Sequence, residues 1–413
     1  MPARIPESFH PVTQALIGLL MSVLLVRFIG IFTNTIAPAW DGIIYYVMAQ
    51  YGVINNPHLV APFAYRPAVP IMVRLLSMYL KIKCVDLFGI FAQMSAITFV
   101  LFTFLFAKRY GAGFINSLII MLVVAFSFYH VKFPIFLYSM VDVETYPIML
   151  LSMWALLRKK LALCVAISCV GLFFKEFLVI PAIIAIVSWY MIYKRSHSRK
   201  YLLWIILAWI GIMASIAIPR YLIPVRASIQ FIDLTNEPGS LKFLIQCPLD
   251  IKREFNIFFS VMAYWLPTIL LLTRSRLKHL WDELDEHRLM LFLYLALIFI
   301  LTMYGGSNIP IFISYSFFAQ LIVLSILLKY DVNRAEIAYM LVAVFFFNRI
   351  LWHIPPGMSD LENYLDFYGG YFSRVNASSL NRLMELAAFI VLGNILRVPV
   401  FGSLKWKQSE YQP

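Results

Sequence analysis

The chain predicts an all-α integral membrane protein. Three observations carry that expectation: 62% of the 413 residues are hydrophobic, only 13% are charged, and the mean hydropathy is +0.81. Soluble domains carry charge at roughly a quarter of their positions. Apolar runs of about 20 residues suit helices across a ~30 Å hydrocarbon core. Membrane barrels need shorter, alternating strands, and no such alternation runs through this sequence. A single polytopic domain over 1–413, without a soluble domain, repeat or low-complexity tail, is expected.

Apolar spans fall at 14–33, 86–107, 112–131, 136–157, 161–174, 177–193, 201–219, 256–273, 289–304, 309–328, 337–353 and 382–400, about twelve in all. Ala37-Pro38-Ala39 has the small-x-small form of a signal-peptide cleavage site. The run before it is longer than a signal core, so it reads as a retained first span. Basic residues in short connections mark the cytoplasmic side. Lys108-Arg109, Arg158-Lys159-Lys160, Lys194-Arg195, Arg199-Lys200, Arg274, Arg276, Lys278, Lys329, Arg334, Lys405 and Lys407 all fall on one side. Both termini are therefore expected to be cytoplasmic.

The opposite side receives the longer loops at 34–85, 220–255 and 354–381, with short turns near Lys132, Lys175-Glu176 and Gly305 to Asn308. Within the first outer loop, Pro70 to Lys81 is too short to span and basic at intervals, which predicts a helix lying in the interface. On the cytoplasmic side, Trp281 to Arg288 reads as a charged, solvated connector.

A net charge of +13 would suggest nucleic acid in a soluble protein. Here the basic residues are scattered, and in a membrane protein they reflect basic loops and contacts to lipid phosphates. The expected partner is the bilayer, not nucleic acid. Cys84, Cys164, Cys169 and Cys247 form no CxxC pair, so neither a zinc site nor a disulfide framework is indicated. The membrane is expected to be a bacterial cytoplasmic one or an internal eukaryotic one, and sparse cysteines and compact loops favour the bacterial.

The acids lie at the predicted outer ends of helices. Proton-driven transporters keep ionisable groups near the bilayer midplane instead. Asp41 follows Trp40 and precedes Tyr45 by one helical turn. Two readings stand: it caps a short helix, or aromatic walls raise its pKa and make it a general base. Arg66, in Tyr65-Arg66-Pro67, and Lys175 supply cations on the same face, as phosphate ligands or as interfacial anchors. Lys175-Glu176 interrupts an apolar hairpin, and could also simply mark its turn. Asp142 and Glu144 open a span, where they could orient an acceptor hydroxyl or hold a divalent ion, although metals usually need more oxygen ligands. Arg220 and Arg226 follow the seventh span, placed for lipid phosphate or for anchoring. Asn376-Ala377-Ser378 has the form of a glycosylation acceptor.

In order and sidedness, Trp40-Asp41-Gly42 with Tyr45, Tyr65-Arg66-Pro67-Ala68-Val69-Pro70, Lys175-Glu176 and the segment Gly305 to Pro310 resemble the GT-C superfamily of multi-pass glycosyltransferases. The likeness spans roughly 12–330. It implies a GT-C-like helical bundle, a polyprenyl-phosphate-linked sugar donor, a glycan or lipid acceptor, and an active site on the non-cytoplasmic face. Asp41 would be the catalytic acid of the first outer loop, and Arg66 and Lys175 would hold the lipid phosphate. Tyr45, Glu176, Asp142, Glu144 and Arg220 complete the candidate substrate-binding set. The first loop lacks the adjacent Asp-Glu pair of protein mannosyltransferases, and no large soluble domain follows the bundle as in oligosaccharyltransferase subunits. A lipid-linked glycan polymerase or ligase would share the layout. A flippase of lipid-linked saccharides and a structural envelope subunit are the readings from other classes.

Overall fold

Helices form where the sequence places apolar periodicity, and they end at charged, Gly or Pro-bearing connections. The computed structural model describes residues 10–33, 41–54, 56, 59–61, 63–223, 225, 227–228, 247–304, 309–330, 332–351 and 379–395. In chain order its helices are α1 (Pro11–Ile31), α2 (Asp41–Tyr51), α3 (Ala68–Leu80), α4 (Cys84–Arg109), α5 (Phe114–Ala125), α6 (Phe133–Phe136), α7 (Asp142–Leu157), α8 (Leu161–Gly171) and α9 (Val179–Ser196). They continue as α10 (Arg199–Leu222), α11 (Ile251–Ile269), α12 (Arg274–Glu283), α13 (Arg288–Tyr304), α14 (Ile309–Ser314), α15 (Phe317–Leu327), α16 (Arg334–Phe347) and α17 (Ser379–Ile395). The only extended pairing among the described residues is a two-residue parallel bridge, β1 (Val60–Ala61) with β2 (Ala227–Ser228).

Five described helices are long and apolar enough to cross a bilayer, or up to seven if each bent pair counts as one span. This is the make-up of an α-helical membrane protein. The larger count of about twelve is not reached on length, because several predicted spans fold as shorter or broken helices. α8 and α15, for example, have 11 residues each. The reason is local. The Ser314-Tyr315-Ser316 cluster splits the predicted span 309–328 into α14 and α15. Side-chain hydroxyls in such a cluster compete for backbone bonds and favour a break.

The region 112–157 departs most from expectation. α5 ends at Ala125, and the chain then bends by 71° through a π-helical turn at Phe128–Lys132 into α6. The next span begins only at Asp142, not at 136. Lys132, expected in an exposed turn, is instead buried, and its ammonium donates to the carbonyls of Arg349 and Ile350 at 2.8 and 3.0 Å. An ammonium in an apolar interior must find acceptors, and the frayed end of α16 offers two. Arg276, expected in a short basic connection, is also buried. It pairs with Glu336, whose other role is the capping box with Asn333 that starts α16.

The connection between α1 and α4 folds back on the bundle. α3 runs over 68–80, matching the predicted interfacial helix, and buries Val69, Pro70 and Val73 while Leu75, Met78 and Tyr79 stay exposed. An apolar exposed face on a short helix suits the membrane interface. Arg74 from α3 donates to the carbonyls of Ala49 and Gln50 at the end of α2. The chain leaves α2 through Gly52 at φ +93°, a left-handed conformation that suits glycine. β1–β2 fastens this loop to the chain after α10, and the Ala68 amide donates to the Phe173 carbonyl beyond α8 at 3.2 Å.

Candidate active site at the Asp41 end of the bundle

Four segments distant in sequence meet here: the first turn of α2, the residues before α3, the start of α7 and the α8–α9 turn. Asp41 is the first residue of α2, so the helix N-terminus favours its negative charge. Gly42 beside it lies against Ser139, and a Cβ at Gly42 would collide with the Ser139 hydroxyl. That close approach draws α2 onto the turn preceding α7. Gly42→Ala is expected to cost about 1–3 kcal/mol through overpacking, read as a lowered melting temperature. Ser139→Gly in the same chain should recover most of it.

One turn further along α2, the buried Tyr45 hydroxyl accepts from Arg66 at 2.9 Å. Arg66 is held on its other side by Glu176, Nε donating to Oε2 at 2.8 Å and Nη2 to Oε1. This is a two-point, charge-assisted clamp, the strong form of the arginine–carboxylate pair. The Arg66 side chain is 12% exposed, whereas that of Glu176 is 53% exposed. Behind it, Lys175 is buried in direct contact with Asp142. Its ammonium stands 6.0 Å from the Phe177 ring centre and 5.8 Å from that of Tyr315. These rings stack 4.3 Å apart and wall off the pair.

The charges tune one another. Burial pushes the Asp41 carboxyl above the ordinary aspartate range, with Arg66 and Lys175 pulling it down and Glu176 pushing it up. Burial likewise raises the Tyr45 phenol, with Arg66 opposing, so it stays protonated. Burial and the Arg66 charge lower the Lys175 ammonium, while Glu176 and Asp41 favour its charged form. With every group ionised the cluster holds three carboxylates (Asp41, Asp142, Glu176) against two cations.

The remaining candidates divide. Arg220 reaches the rim: its guanidinium lies 4.9 Å from the Tyr65 ring centre, beside Arg66, and donates to the Ile216 carbonyl at 2.8 Å. Glu144 does not join the Asp142 pair. Two residues along a helix point to different faces, so Asp142 and Glu144 form no chelating pair. Glu144 is buried and neither carboxyl oxygen has a hydrogen-bond partner among the described residues. No group of three or more His, Cys, Asp and Glu side chains placed to hold a metal occurs among the described residues. Trp40, Gly305 to Asn308, Arg226 and Asn376 to Ser378 lie outside the described residues.

Tyr315, Thr145 and Phe177 belong to the site but are not singled out by the sequence. The Tyr315 hydroxyl bonds to that of Thr145, which in turn donates to the Asp142 carbonyl. The one available signal was the run Ser314-Tyr315-Ser316, three hydroxyls inside an apolar span. Comparison with protein-family models, curated proteins and solved structures returned no match.

Proposed function

We propose that the protein is a membrane glycosyltransferase that moves a sugar from a polyprenyl-phosphate-linked donor to a glycan or lipid acceptor on the non-cytoplasmic face. The observation that carries this reading is the convergence of Asp41, Arg66, Lys175, Glu176 and Asp142 on one cluster built from four separate segments. A structural subunit gives no reason for five charges from separate segments to meet. Their place at the outer ends of helices also differs from the midplane ionisable groups of a gradient-driven transporter.

Asp41 accepts the proton of the acceptor hydroxyl as that oxygen attacks the anomeric carbon, and the bond to the phosphate oxygen breaks with inversion. Arg66 already holds a carboxylate in the two-point geometry that suits phosphate. Because Glu176 is the exposed partner, the donor phosphate takes its place at Arg66. Tyr45 keeps the guanidinium aligned through the exchange. Lys175, closed in with Asp142, acts at short range through its charge on the departing phosphate and on Asp41. A fixed donor aimed at such a developing charge is worth about 100- to 1,000-fold in rate. No metal enters these steps, although a divalent ion carried by the donor's phosphate would add to the same charge stabilisation.

Purified full-length protein in detergent, given a labelled polyprenyl-phosphate sugar and an acceptor, tests the reading directly. Transfer without any gradient is the expected result. Movement of the carrier across proteoliposomes without transfer would favour a flippase. The pH profile adds a second check. A base with a raised pKa is lost to protonation earlier as pH falls, so the acid limb of kcat/KM should lie above the ordinary aspartate range. Glu176→Gln removes a charge that raises Asp41. The acid limb should therefore move to lower pH in that variant; a shift upward, or none, contradicts the coupling.

A further inference from the structure

α7 carries Asp142 at its first residue and Arg158 immediately after its last. Its 16 residues, at ~1.5 Å each, put the two ends about 24 Å apart. At the Arg158 end lies a cavity of about 270 Å³, with Arg109, Arg158 and His287 among its lining residues and Phe106, Tyr110 and Trp154 forming its walls. Three segments supply it: the last turns of α4 and α7 and the short helical turn Asp285–His287 before α13.

Its charge state is the opposite of that at Asp41. There, Arg66 and Lys175 each already hold a carboxylate. Here neither Arg109 nor Arg158 has an ion-pair partner among the described residues. Two of the acids nearby are paired with other cations: Glu283 takes Lys329 at 3.0 Å and the Tyr330 hydroxyl, and Asp285 takes Arg288 at 3.1 Å. Glu286 and Lys159 lie close enough to act on His287 with opposite sign. Aromatic walls complete the pocket. The Arg158 guanidinium is 5.7 Å from the Trp154 ring centre, and Tyr110 stacks on Phe106 at 5.9 Å and stands 6.2 Å from His287.

We infer that this cavity is a binding site for a phosphoryl group, distinct from the Asp41 cluster and independent of the activity proposed for it. Two guanidiniums lacking carboxylates, converging on a concave site with an imidazole, offer the planar donors that phosphate accepts bidentately. Stacking on aromatic rings holds a guanidinium in place without consuming those donors. The volume is at the small end for ligand pockets, so it suits a phosphate-bearing headgroup or a small phosphorylated solute, not a large cofactor.

Native mass spectrometry of the full-length protein from neutral detergent, titrated with phosphatidylglycerol and separately with inorganic phosphate, tests the site. Wild-type protein should retain at least one of the two. Phosphatidylglycerol alone identifies a lipid headgroup as occupant, and retention of both identifies soluble phosphoryl compounds. Arg109→Gln/Arg158→Gln should weaken that binding about tenfold or more, since both planar, charged donors that phosphate accepts are removed. Should that variant fail to fold, Arg109→Lys/Arg158→Lys keeps the charge and loses only the fork geometry, and a several-fold weakening at unchanged melting temperature is expected. Lys194→Gln/Arg195→Gln, at the end of α9, removes equal charge away from the cavity and should leave binding as it was. Retention of neither probe overturns the site. So does wild-type binding in the Gln or Lys variant, or an equal loss in the α9 control.

Discussion

Asp41→Asn is expected to lower sugar transfer about 100- to 10,000-fold, the usual worth of a positioned general base. The substitution separates the two roles that Asp41 can have. Asparagine keeps the shape of aspartate and a side-chain oxygen that can accept from backbone N–H groups, so the start of α2, and with it Tyr45 and Gly42, should stay in place. What is lost is the capacity to take a proton at neutral pH. Melting temperature is therefore expected to hold while kcat falls, and the acid limb assigned to Asp41 should vanish from what activity remains. Full activity in the variant would reduce Asp41 to a capping residue and remove the chemical centre of the proposal. Asp41→Ala makes a useful comparison, because it loses cap and base together and should cost stability as well.

Lys175→Met is expected to destabilise the protein by about 3–5 kcal/mol, because it leaves the Asp142 carboxylate buried without its counter-charge. Both side chains of the pair are almost wholly buried, at 5% and 3% exposure. Removing both charges is a different matter. In Lys175→Met/Asp142→Asn no uncompensated ion is left, and most of the lost stability should return. Activity should not return with it, since the cation that acts on the leaving phosphate is gone in both variants. Thermal melting and a transfer assay on the same three samples separate these effects. A single variant that melts like wild type would show that the pair is open to water, contrary to its burial.

The fold was legible where physics acts locally. Runs of apolar residues located α1, α4, α9, α10 and α13, and the short amphipathic stretch after Pro67 located α3 to within a few residues. The breaks were harder to read. Nothing in the run 112–131 announces the π-helical turn at Phe128–Lys132, because what stabilises it is remote: Lys132 bonds to the end of α16, more than two hundred positions away. Site legibility followed the same rule. Charges in an apolar chain stand out, so Asp41, Arg66, Lys175, Glu176 and Asp142 could be picked by type and sidedness. Their pairing could not, because Arg66 and Glu176 are 110 residues apart. Tyr315 and Phe177 were hidden for the opposite reason, being aromatic residues among many. Glu144 was legible as an acid but not as an isolated one, which depends on the face of α7 it occupies.

That separation of 110 residues between Arg66 and Glu176 also sets a clock. A ribosome adds about 5–20 residues per second, so Arg66 is synthesised roughly 5–20 s before its carboxylate exists. The β1–β2 bridge waits longer still, until the chain past α10 has been made. During that interval Arg66 has the Tyr45 hydroxyl of its own segment within reach but no carboxylate to clamp it. The cluster can therefore close only after the α8–α9 turn has been made. A nascent chain arrested before Glu176 would present the loop, and Asp41 with it, in an unassembled state. Completion of the clamp is thus tied to synthesis of the chain as far as Glu176.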